Sequence, residues 1–147
     1  MLKYCLSCLI LVGLICVRNL TAAEPATRPT SAAPPTQTAG APFKNIDVVG
    51  FEKFRSDTNK VVLDVRTPSE FASGHVPGAV LLDVKGADFL EKAARLDKSK
   101  TYLVHCAAGV RSVKACNLLA PAGFTNLVNL EGGFNAWTKA GNKPVKL

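Results

Sequence analysis

The sequence predicts an α/β fold with a central parallel five-stranded sheet and helices on both of its faces. Three observations lead to this prediction. Strand-like apolar runs alternate with helix-like segments from about residue 43 onward, which is the order of βαβ units. These runs are continuously apolar, as in strands that are covered on both faces. The Pro/Ala/Thr-rich stretch before them cannot form a core, so we expect one domain over residues 43–147.

Three strands are predicted in the first half of this domain. They cover residues 46–49, 61–65 and 79–82. A helical turn over residues 50–56 joins the first two strands. After the second strand, Thr67 and Glu70 have the spacing of a capping box, and Pro68 suits the first helical position. A short helix is therefore expected to start there and to stop at Gly74.

Two strands and three helices are predicted in the second half. The strands cover residues 101–105 and 127–130, and the helices cover 88–96, 112–120 and a final segment that Gly132 and Gly133 open and Gly141 closes. The first of these helices has apolar residues at helical spacing. The resulting order of strand and helix completes the five-stranded sheet.

Cys106 lies directly after the fourth predicted strand, where parallel α/β sheets place their ligand sites. The residues that follow it are Ala107, Ala108, Gly109, Val110 and Arg111. Amide groups in such a loop, the dipole of the next helix and the Arg111 cation together hold anions and lower the pKa of a thiol. We therefore expect a reactive thiolate at Cys106, with the loop amides and Arg111 as its anion site. A buried, inert cysteine is the alternative, but it does not account for Gly109 and Arg111.

The N-terminal residues have the pattern of an export signal. Residues 1–23 combine a basic start, an apolar core and a small-residue cleavage point at Thr21-Ala22-Ala23. The apolar core is too short to span a bilayer comfortably, so no stable membrane insertion is expected after cleavage. An uncleaved, tethering segment is the alternative. Residues 24–42 are predicted to be a disordered linker, and the domain is expected to be periplasmic or secreted.

Charge and cysteine content narrow the possible functions. Cleavage after residue 23 leaves a net charge of +5, and the basic residues are scattered without interleaved aromatics. Nucleic-acid binding is therefore not expected, whereas a small anionic substrate fits this charge. No His, Cys or carboxylate cluster has metal-ligand spacing. Cys106 and Cys116 are expected to stay apart, since a helix separates them, and Cys116 is expected to be a buried apolar residue.

Three separate segments resemble the signature motifs of the rhodanese superfamily. They are residues 64–71 with 74–79, the cysteine segment 106–112, and the closing segment 131–137. Together they span essentially the whole predicted domain and look most like small exported single-domain rhodaneses. The resemblance implies a parallel α/β sheet and a sulfurtransferase that needs no cofactor.

The resemblance also implies roles for individual residues. Cys106 takes the outer sulfur of a donor such as thiosulfate, holds it as a persulfide among the amides of residues 107–111, and passes it to cyanide or a thiol. Arg111 orients the anionic end of the donor. Asp64 and Arg66 support the loop through an ion pair or hydrogen bonds, and His75 fixes its own turn by hydrogen bonds.

Two features qualify this assignment. Many thiosulfate-using members carry a basic residue directly after the cysteine, where this chain has Ala107. This departure predicts weak thiosulfate binding and favours another sulfane compound or a protein persulfide as donor. His105 is not expected to act as a base for Cys106, because adjacent strand residues point to opposite faces.

Two other functions remain open from the sequence. A cysteine-dependent phosphatase or arsenate reductase has a similar loop, but its signature places five residues between Cys and Arg, whereas this chain has four between Cys106 and Arg111. A sulfur carrier or protein-interaction module of the same fold is the non-enzymatic alternative. A transferase turns over small donors, whereas a carrier is loaded once by its partner.

Overall fold

A computed structural model describes residues 42–147 of the chain. The predicted signal peptide lies outside these residues, and so does the predicted linker apart from Pro42. Both stay predictions.

The described residues form one five-stranded parallel sheet. Its strands are β1 (Lys44–Ile46), β2 (Lys60–Asp64), β3 (Val80–Leu81), β4 (Thr101–His105) and β5 (Leu127–Leu130). The order across the sheet is β1-β5-β4-β2-β3, and every neighbouring pair is parallel. The predicted fold class is confirmed. Because β4 lies at the centre, the residue that follows it emerges in the middle of the sheet's carboxyl edge.

Five helices cover both faces of the sheet. They are α1 (Val48–Arg55), α2 (Pro68–Ser73), α3 (Phe89–Ala93), α4 (Val110–Leu119) and α5 (Gly133–Lys139). Alternate residues of β4 divide between the two faces, as the period of two in a strand requires. Tyr102 and Val104 join a core cluster with residues of α3 and α4. Leu103 packs on the other face with Phe51 of α1 and Trp137 of α5.

The first strand begins and ends earlier than the sequence indicated. The prediction of a strand over residues 46–49 is wrong, because α1 already begins at Val48. Asp47 is the cause: its side chain accepts a hydrogen bond from the Gly50 amide at 2.8 Å and so caps the helix. Val49, which has a high strand propensity, therefore lies on an exposed turn of helix.

Other boundaries differ by a few residues. The third strand and the helix after it are shorter than expected, because they cover only Val80–Leu81 and Phe89–Ala93. Helix α4 begins at Val110, two residues before the predicted start. Gly109 precedes it with φ at +98°, a conformation that favours glycine, and its carbonyl accepts the Val113 amide at 3.2 Å. The early start shortens the loop after Cys106.

Candidate active site

Cys106 is the first residue after β4, and we call residues 106–111 the cysteine loop. The chain turns directly from the end of the strand into α4, so the thiol lies between the sheet edge and the first turn of that helix. Cys106 has a relative exposure of 1 % and belongs to the core cluster on the α3/α4 face. Burial alone would make such a thiol inert, so the polar groups around the sulfur decide its chemistry.

Hydrogen-bond donors surround the sulfur of Cys106. The Gly109 amide donates to Sγ at 3.2 Å, and the Ser112 hydroxyl lies 3.6 Å from Sγ. Burial raises the pKa of Cys106, but hydrogen bonds from the Ser112 hydroxyl and from the amides of Ser112, Ala108 and Gly109 outweigh it. The net result is a pKa below that of an ordinary thiol. The site therefore favours an anionic sulfur inside the protein.

Ser112 is a functional residue that the sequence reasoning missed. It is fully buried in the first turn of α4, and its hydroxyl also lies 2.8 Å from the Gly109 carbonyl. A hydroxyl carries a single proton, so Ser112 donates either to this carbonyl or to the sulfur. An anionic sulfur favours the second arrangement. The signal in the sequence was a serine immediately after Arg111, one helical turn from Gly109.

Cys116 shows what the fold does to a thiol without such donors. It is also buried and also a free cysteine. Desolvation raises the pKa of Cys116 to about 12, so this thiol stays protonated. As predicted, Cys116 is a buried apolar residue of the core. The two described cysteines thus have opposite chemistry in one core cluster.

The N-terminus of α5 holds the cysteine loop from behind. The Phe134 amide donates to the Cys106 carbonyl at 2.7 Å, and the Asn135 amide donates to the Ala107 carbonyl at 2.9 Å. Gly133 makes this approach possible: its φ is +58°, and a Cβ atom there would lie 2.5 Å from the Cys106 carbonyl oxygen. The two loop carbonyls face α5, which leaves the loop amides to face the sulfur.

Arg111 does not project alone into the anion site. Its guanidinium donates two hydrogen bonds to Glu70 of α2, from NH1 to Oε2 at 2.7 Å and from NH2 to Oε1 at 2.6 Å. Glu70 also completes the predicted capping box, because Oε2 accepts from the Thr67 amide at 3.1 Å while the Thr67 hydroxyl accepts from the Glu70 amide. One carboxylate therefore both caps α2 and anchors the arginine of the cysteine loop.

The pairing shifts the pKa of both partners. Hydrogen bonds from Arg111 are the largest cause that lowers the pKa of Glu70 to about 2. The pKa of Arg111 is raised, first by its hydrogen bonds to Glu70 and to a smaller degree by the charges of Cys106 and Asp83. Both side chains are partly exposed, at 23 % for Arg111 and 33 % for Glu70. Both are therefore ionised throughout the neutral range, at the mouth of the site.

Asp64 and Arg66 form a buried ion pair beneath the site. The Asp64 carboxylate accepts from Nε and NH2 of Arg66 at 2.6–3.0 Å and from the Arg66 amide at 3.0 Å. Arg66 also donates to the Gly74 carbonyl at 2.8 Å and lies over the Phe134 ring, 4.1 Å from its centroid. The pair therefore joins the end of β2 to the segment after α2 and to α5, and it does not touch the sulfur.

The two histidines lie in structural positions. The His75 ring stacks on Phe71 with centroids 3.8 Å apart, and its Nδ1 lies 3.0 Å from the Phe71 carbonyl. His105 is completely buried on the face opposite to Cys106, with its Nε2 3.7 Å from an Asp64 oxygen. Burial lowers the pKa of His105, so the ring is neutral. Neither histidine is placed to take a proton from the Cys106 thiol.

The remaining loop residues have separate tasks. Ala107 anchors the loop through its carbonyl, Ala108 supplies an amide to the sulfur, and Val110 exposes 78 % of its surface at the start of α4. The structure thus brings the amides of Ala108, Gly109 and Ser112 onto the sulfur, whereas the sequence pointed to residues 107–111. Of the predicted loop amides, those of Ala108 and Gly109 bind the sulfur, and the Ser112 amide is added from α4.

Two cavities lie at opposite ends of the sheet. One of about 350 Å³ adjoins the cysteine loop and is lined by Ala108, Gly109, Val110, Val113, Asn129, Glu131 and Gly132. A larger one of about 440 Å³ lies at the amino ends of the strands, where its lining includes Lys44, Lys60, Thr101 and Leu127. No cysteine lines the larger cavity. The smaller cavity is lined by Ala108 and Gly109 of the cysteine loop, and Cys106 itself is not part of its lining.

Residues 42–147 contain neither a metal-binding cluster nor a membrane-spanning helix. No group of three or more His, Cys, Asp or Glu side chains in this part of the chain is arranged to hold a metal ion. No helix in the same residues is long and apolar enough to cross a membrane.

Comparison with known proteins identifies the family. The profile of the rhodanese-like domain matches residues 50–140, which is more than half of the chain. The chain therefore belongs to the family of rhodanese-like domains, as the sequence motifs predicted. This match covers every residue that we have placed around the sulfur.

Individual relatives agree with this assignment. The chain is 40 % identical over 89 residues to thiosulfate sulfurtransferase 16 of Arabidopsis thaliana, a match that covers 54 % of this chain and 74 % of the relative. It is 36 % identical over 96 residues to thiosulfate sulfurtransferase GlpE of Pseudomonas putida, with 65 % and 84 % covered. The crystal structure of a rhodanese-related protein from Thermoplasma volcanium superposes with a TM-score of 0.63 at 30 % identity, covering 69 % of this chain and 97 % of that one.

Proposed function

We propose that the protein is a sulfurtransferase that moves sulfane sulfur through a persulfide on Cys106. The observation that carries the proposal is the set of donors around Sγ, formed by amides of the cysteine loop and the Ser112 hydroxyl. Donors in this arrangement stabilise a thiolate before the reaction and an anionic outer sulfur after it. Relatives that are named sulfurtransferases support the same activity.

The first half-reaction loads the protein with sulfur. The Cys106 thiolate attacks the outer sulfur of a donor such as thiosulfate, a new S–S bond forms, and the S–S bond of the donor breaks. The electron pair of the broken bond leaves with sulfite, and the outer sulfur keeps its negative charge in the Cys106 persulfide. The donors that held the thiolate then hold this sulfur, which splits the transfer into two easier steps.

The second half-reaction releases the sulfur to an acceptor. Cyanide or a thiolate attacks the outer sulfur, forms the new bond to it, and returns the electron pair of the persulfide bond to Cys106. The products are thiocyanate or an organic persulfide together with the original thiolate. No cofactor is needed for either step, because each is a displacement at sulfur.

Intact-mass measurement tests the proposal directly. After exposure to thiosulfate or another sulfane donor, the protein should gain the mass of one sulfur atom and lose it again when cyanide is added. Cys106→Ser should never gain it, whereas Cys116→Ser, which removes the other described cysteine, should gain it normally. A wild-type protein that takes up no sulfur from any sulfane donor would overturn the proposal. We expect no hydrolysis of an aryl phosphate. Such hydrolysis would favour the phosphatase interpretation instead.

We also propose that the domain is exported after cleavage near residue 23. The support is the layout of residues 1–23 and the proline-rich composition of residues 24–42. Mass analysis of the protein from the exported fraction should show a mature chain that begins after Ala23. A full-length chain held in the membrane fraction would favour the uncleaved tether.

A further inference from the structure

We infer that Glu70 determines which sulfur donors the protein accepts, by neutralising Arg111 and so favouring donors with one negative charge over dianions such as thiosulfate. The preferred class comprises monoanionic sulfane donors, namely organic persulfides and thiosulfonates. The inference rests on the proposed function and goes beyond it by assigning a specificity role to Glu70.

The geometry shows that Arg111 is already occupied. Both outer nitrogens of its guanidinium are bound to the two oxygens of one carboxylate, at 2.7 and 2.6 Å. This bidentate arrangement is the one in which arginine binds carboxylates and other anions most strongly. A donor anion that binds Arg111 in the same way therefore has to displace Glu70.

Glu70 is not easily displaced, because α2 also holds it. Its Oε2 accepts hydrogen bonds from the Thr67 amide at 3.1 Å and from the Thr67 hydroxyl at 2.9 Å. Moving the carboxylate away from Arg111 would also open the capping box of α2. The ion pair is consequently a fixed part of the mouth of the site.

The charge around Arg111 leaves little attraction for a dianion. Glu70 cancels the guanidinium, Asp83 is a second carboxylate close enough to act on it, and the neutral Ala107 follows the cysteine. What remains for an anion is the partial positive charge of the loop amides and of the α4 N-terminus. These groups suit a single anionic sulfur, which is what a monoanionic donor delivers.

The test compares two donors that differ in charge. Thiosulfate is a dianion and benzenethiosulfonate a monoanion, and both transfer their outer sulfur to Cys106 as sulfite or benzenesulfinate leaves. KM and kcat are measured for each donor, with cyanide as acceptor, for the wild type and for Glu70→Gln. Glutamine preserves the shape of the side chain and is itself a capping-box residue, so α2 should remain folded.

Coulomb's law gives the expected result. Removing one negative charge should lower KM for thiosulfate on the order of tenfold and for benzenethiosulfonate by about threefold, because the interaction energy scales with the charge of the donor. The fold decrease in KM for the dianion should thus be about the square of the fold decrease for the monoanion. Added salt should make both decreases in KM smaller, since the pair is partly exposed to solvent.

Two controls make the result specific. Arg111→Ala removes the opposite charge from the same pair, so it should raise KM, and more for thiosulfate than for benzenethiosulfonate. Glu91→Gln removes the same charge from Glu91 of α3, which forms an exposed pair with Arg95, and it should leave the ratio of the two KM values unchanged.

The outcomes separate this inference from the proposed function. Equal KM changes for the two donors, or a rise in KM for both, would overturn the role of Glu70 while leaving the transferase intact. If neither of these donors nor any other sulfane donor loads Cys106 in the wild type, the transferase proposal itself fails, and the selectivity with it.

Discussion

At the scale of single residues, Cys106 and Cys116 show how one core holds a thiol with a lowered pKa and a thiol with a raised pKa. Both are buried on the same face of the sheet. Cys106 has the donors of the cysteine loop and Ser112 around its sulfur, and they more than offset the burial. Cys116 has no comparable set, and its pKa rises to about 12. The local hydrogen bonds, rather than the depth in the core, account for the difference in pKa between the two thiols.

The pH dependence of Cys106 tests this explanation. The lowered pKa means that the thiolate forms at a lower pH than in an ordinary thiol. We expect the rate of alkylation by iodoacetamide to rise with pH and to reach half of its plateau at a lower pH in the folded protein than in the unfolded chain. Cys116, with its raised pKa, should stay unmodified in the folded protein.

Ser112→Ala should move the same profile to higher pH. The hydroxyl donates only when the sulfur is anionic, so its loss removes stabilisation from the thiolate and not from the thiol. A shift of about one pKa unit corresponds to the loss of one such hydrogen bond, about 1.4 kcal/mol. The variant is measured beside Ser99→Ala, an exposed serine that bonds to Asp97. An unchanged profile in Ser112→Ala would show that the amides act alone.

At the scale of elements, α5 is what gives the cysteine loop its shape. The first amides of this helix bind the carbonyls of Cys106 and Ala107, and Gly133 permits the contact. The loop amides then point the other way, toward the sulfur. A helix that is distant in sequence therefore orients the donors of the site, while contributing no side chain to the sulfur.

A Gly133→Ala variant, measured beside a control, separates the effect of this contact on stability from the effect of backbone strain. A Cβ at this position would lie 2.5 Å from the Cys106 carbonyl oxygen, and the φ of +58° is itself unfavourable for alanine. Gly141→Ala is the matched control, since φ there is +90° with nothing within 4 Å. Denaturant unfolding should show a loss of about 1–2 kcal/mol in the control, the strain alone, and about 1–3 kcal/mol more in Gly133→Ala.

Sulfur loading distinguishes the two variants further. Because only the Gly133 side chain would push on the loop, only Gly133→Ala should load Cys106 more slowly, while Gly141→Ala should load at the wild-type rate. Equal loading in both variants would mean that the loop keeps its shape without the close approach of α5.

The same elements show how far the sequence could predict the site. The capping box of α2 was predictable because Thr67 and Glu70 are three residues apart, and the cysteine loop because its groups follow one another in the chain. The ion pair of Glu70 with Arg111 joins positions 41 residues apart, and no local pattern signals it. The start of α1 was missed for another reason: the cap at Asp47 outweighs the strand propensity of the two valines that follow.

At the scale of the whole molecule, the pair of Asp64 and Arg66 joins parts of the fold that are far apart in sequence. Its side chains are 0 % and 5 % exposed, and through Gly74 and Phe134 it connects β2, the segment after α2 and α5. A buried pair of this kind is not itself a large source of stability, because desolvation opposes the attraction. Its importance is that the loss of either side chain leaves the other as a buried charge without a partner.

Breaking the pair should therefore destabilise the entire domain. Asp64→Asn leaves the Arg66 cation buried without its counter-charge, and the expected loss in the free energy of unfolding is about 3–5 kcal/mol. A domain of this size has only about 5–15 kcal/mol in total, so the change should lower the thermal midpoint of all elements together. Asp88→Asn, which opens an exposed pair with Lys92, should change stability little because solvent screens that pair.

A double replacement, Asp64→Leu with Arg66→Met, completes the argument. It removes both buried charges, so it should be more stable than Asp64→Asn even though it changes more atoms and loses the hydrogen bond to Gly74. Circular dichroism melts of the three variants give this order directly, and sulfur loading of the folded fraction shows whether the site survives. A double variant less stable than the single one would mean that the hydrogen bonds of the pair, and not the balance of its charges, hold these elements together.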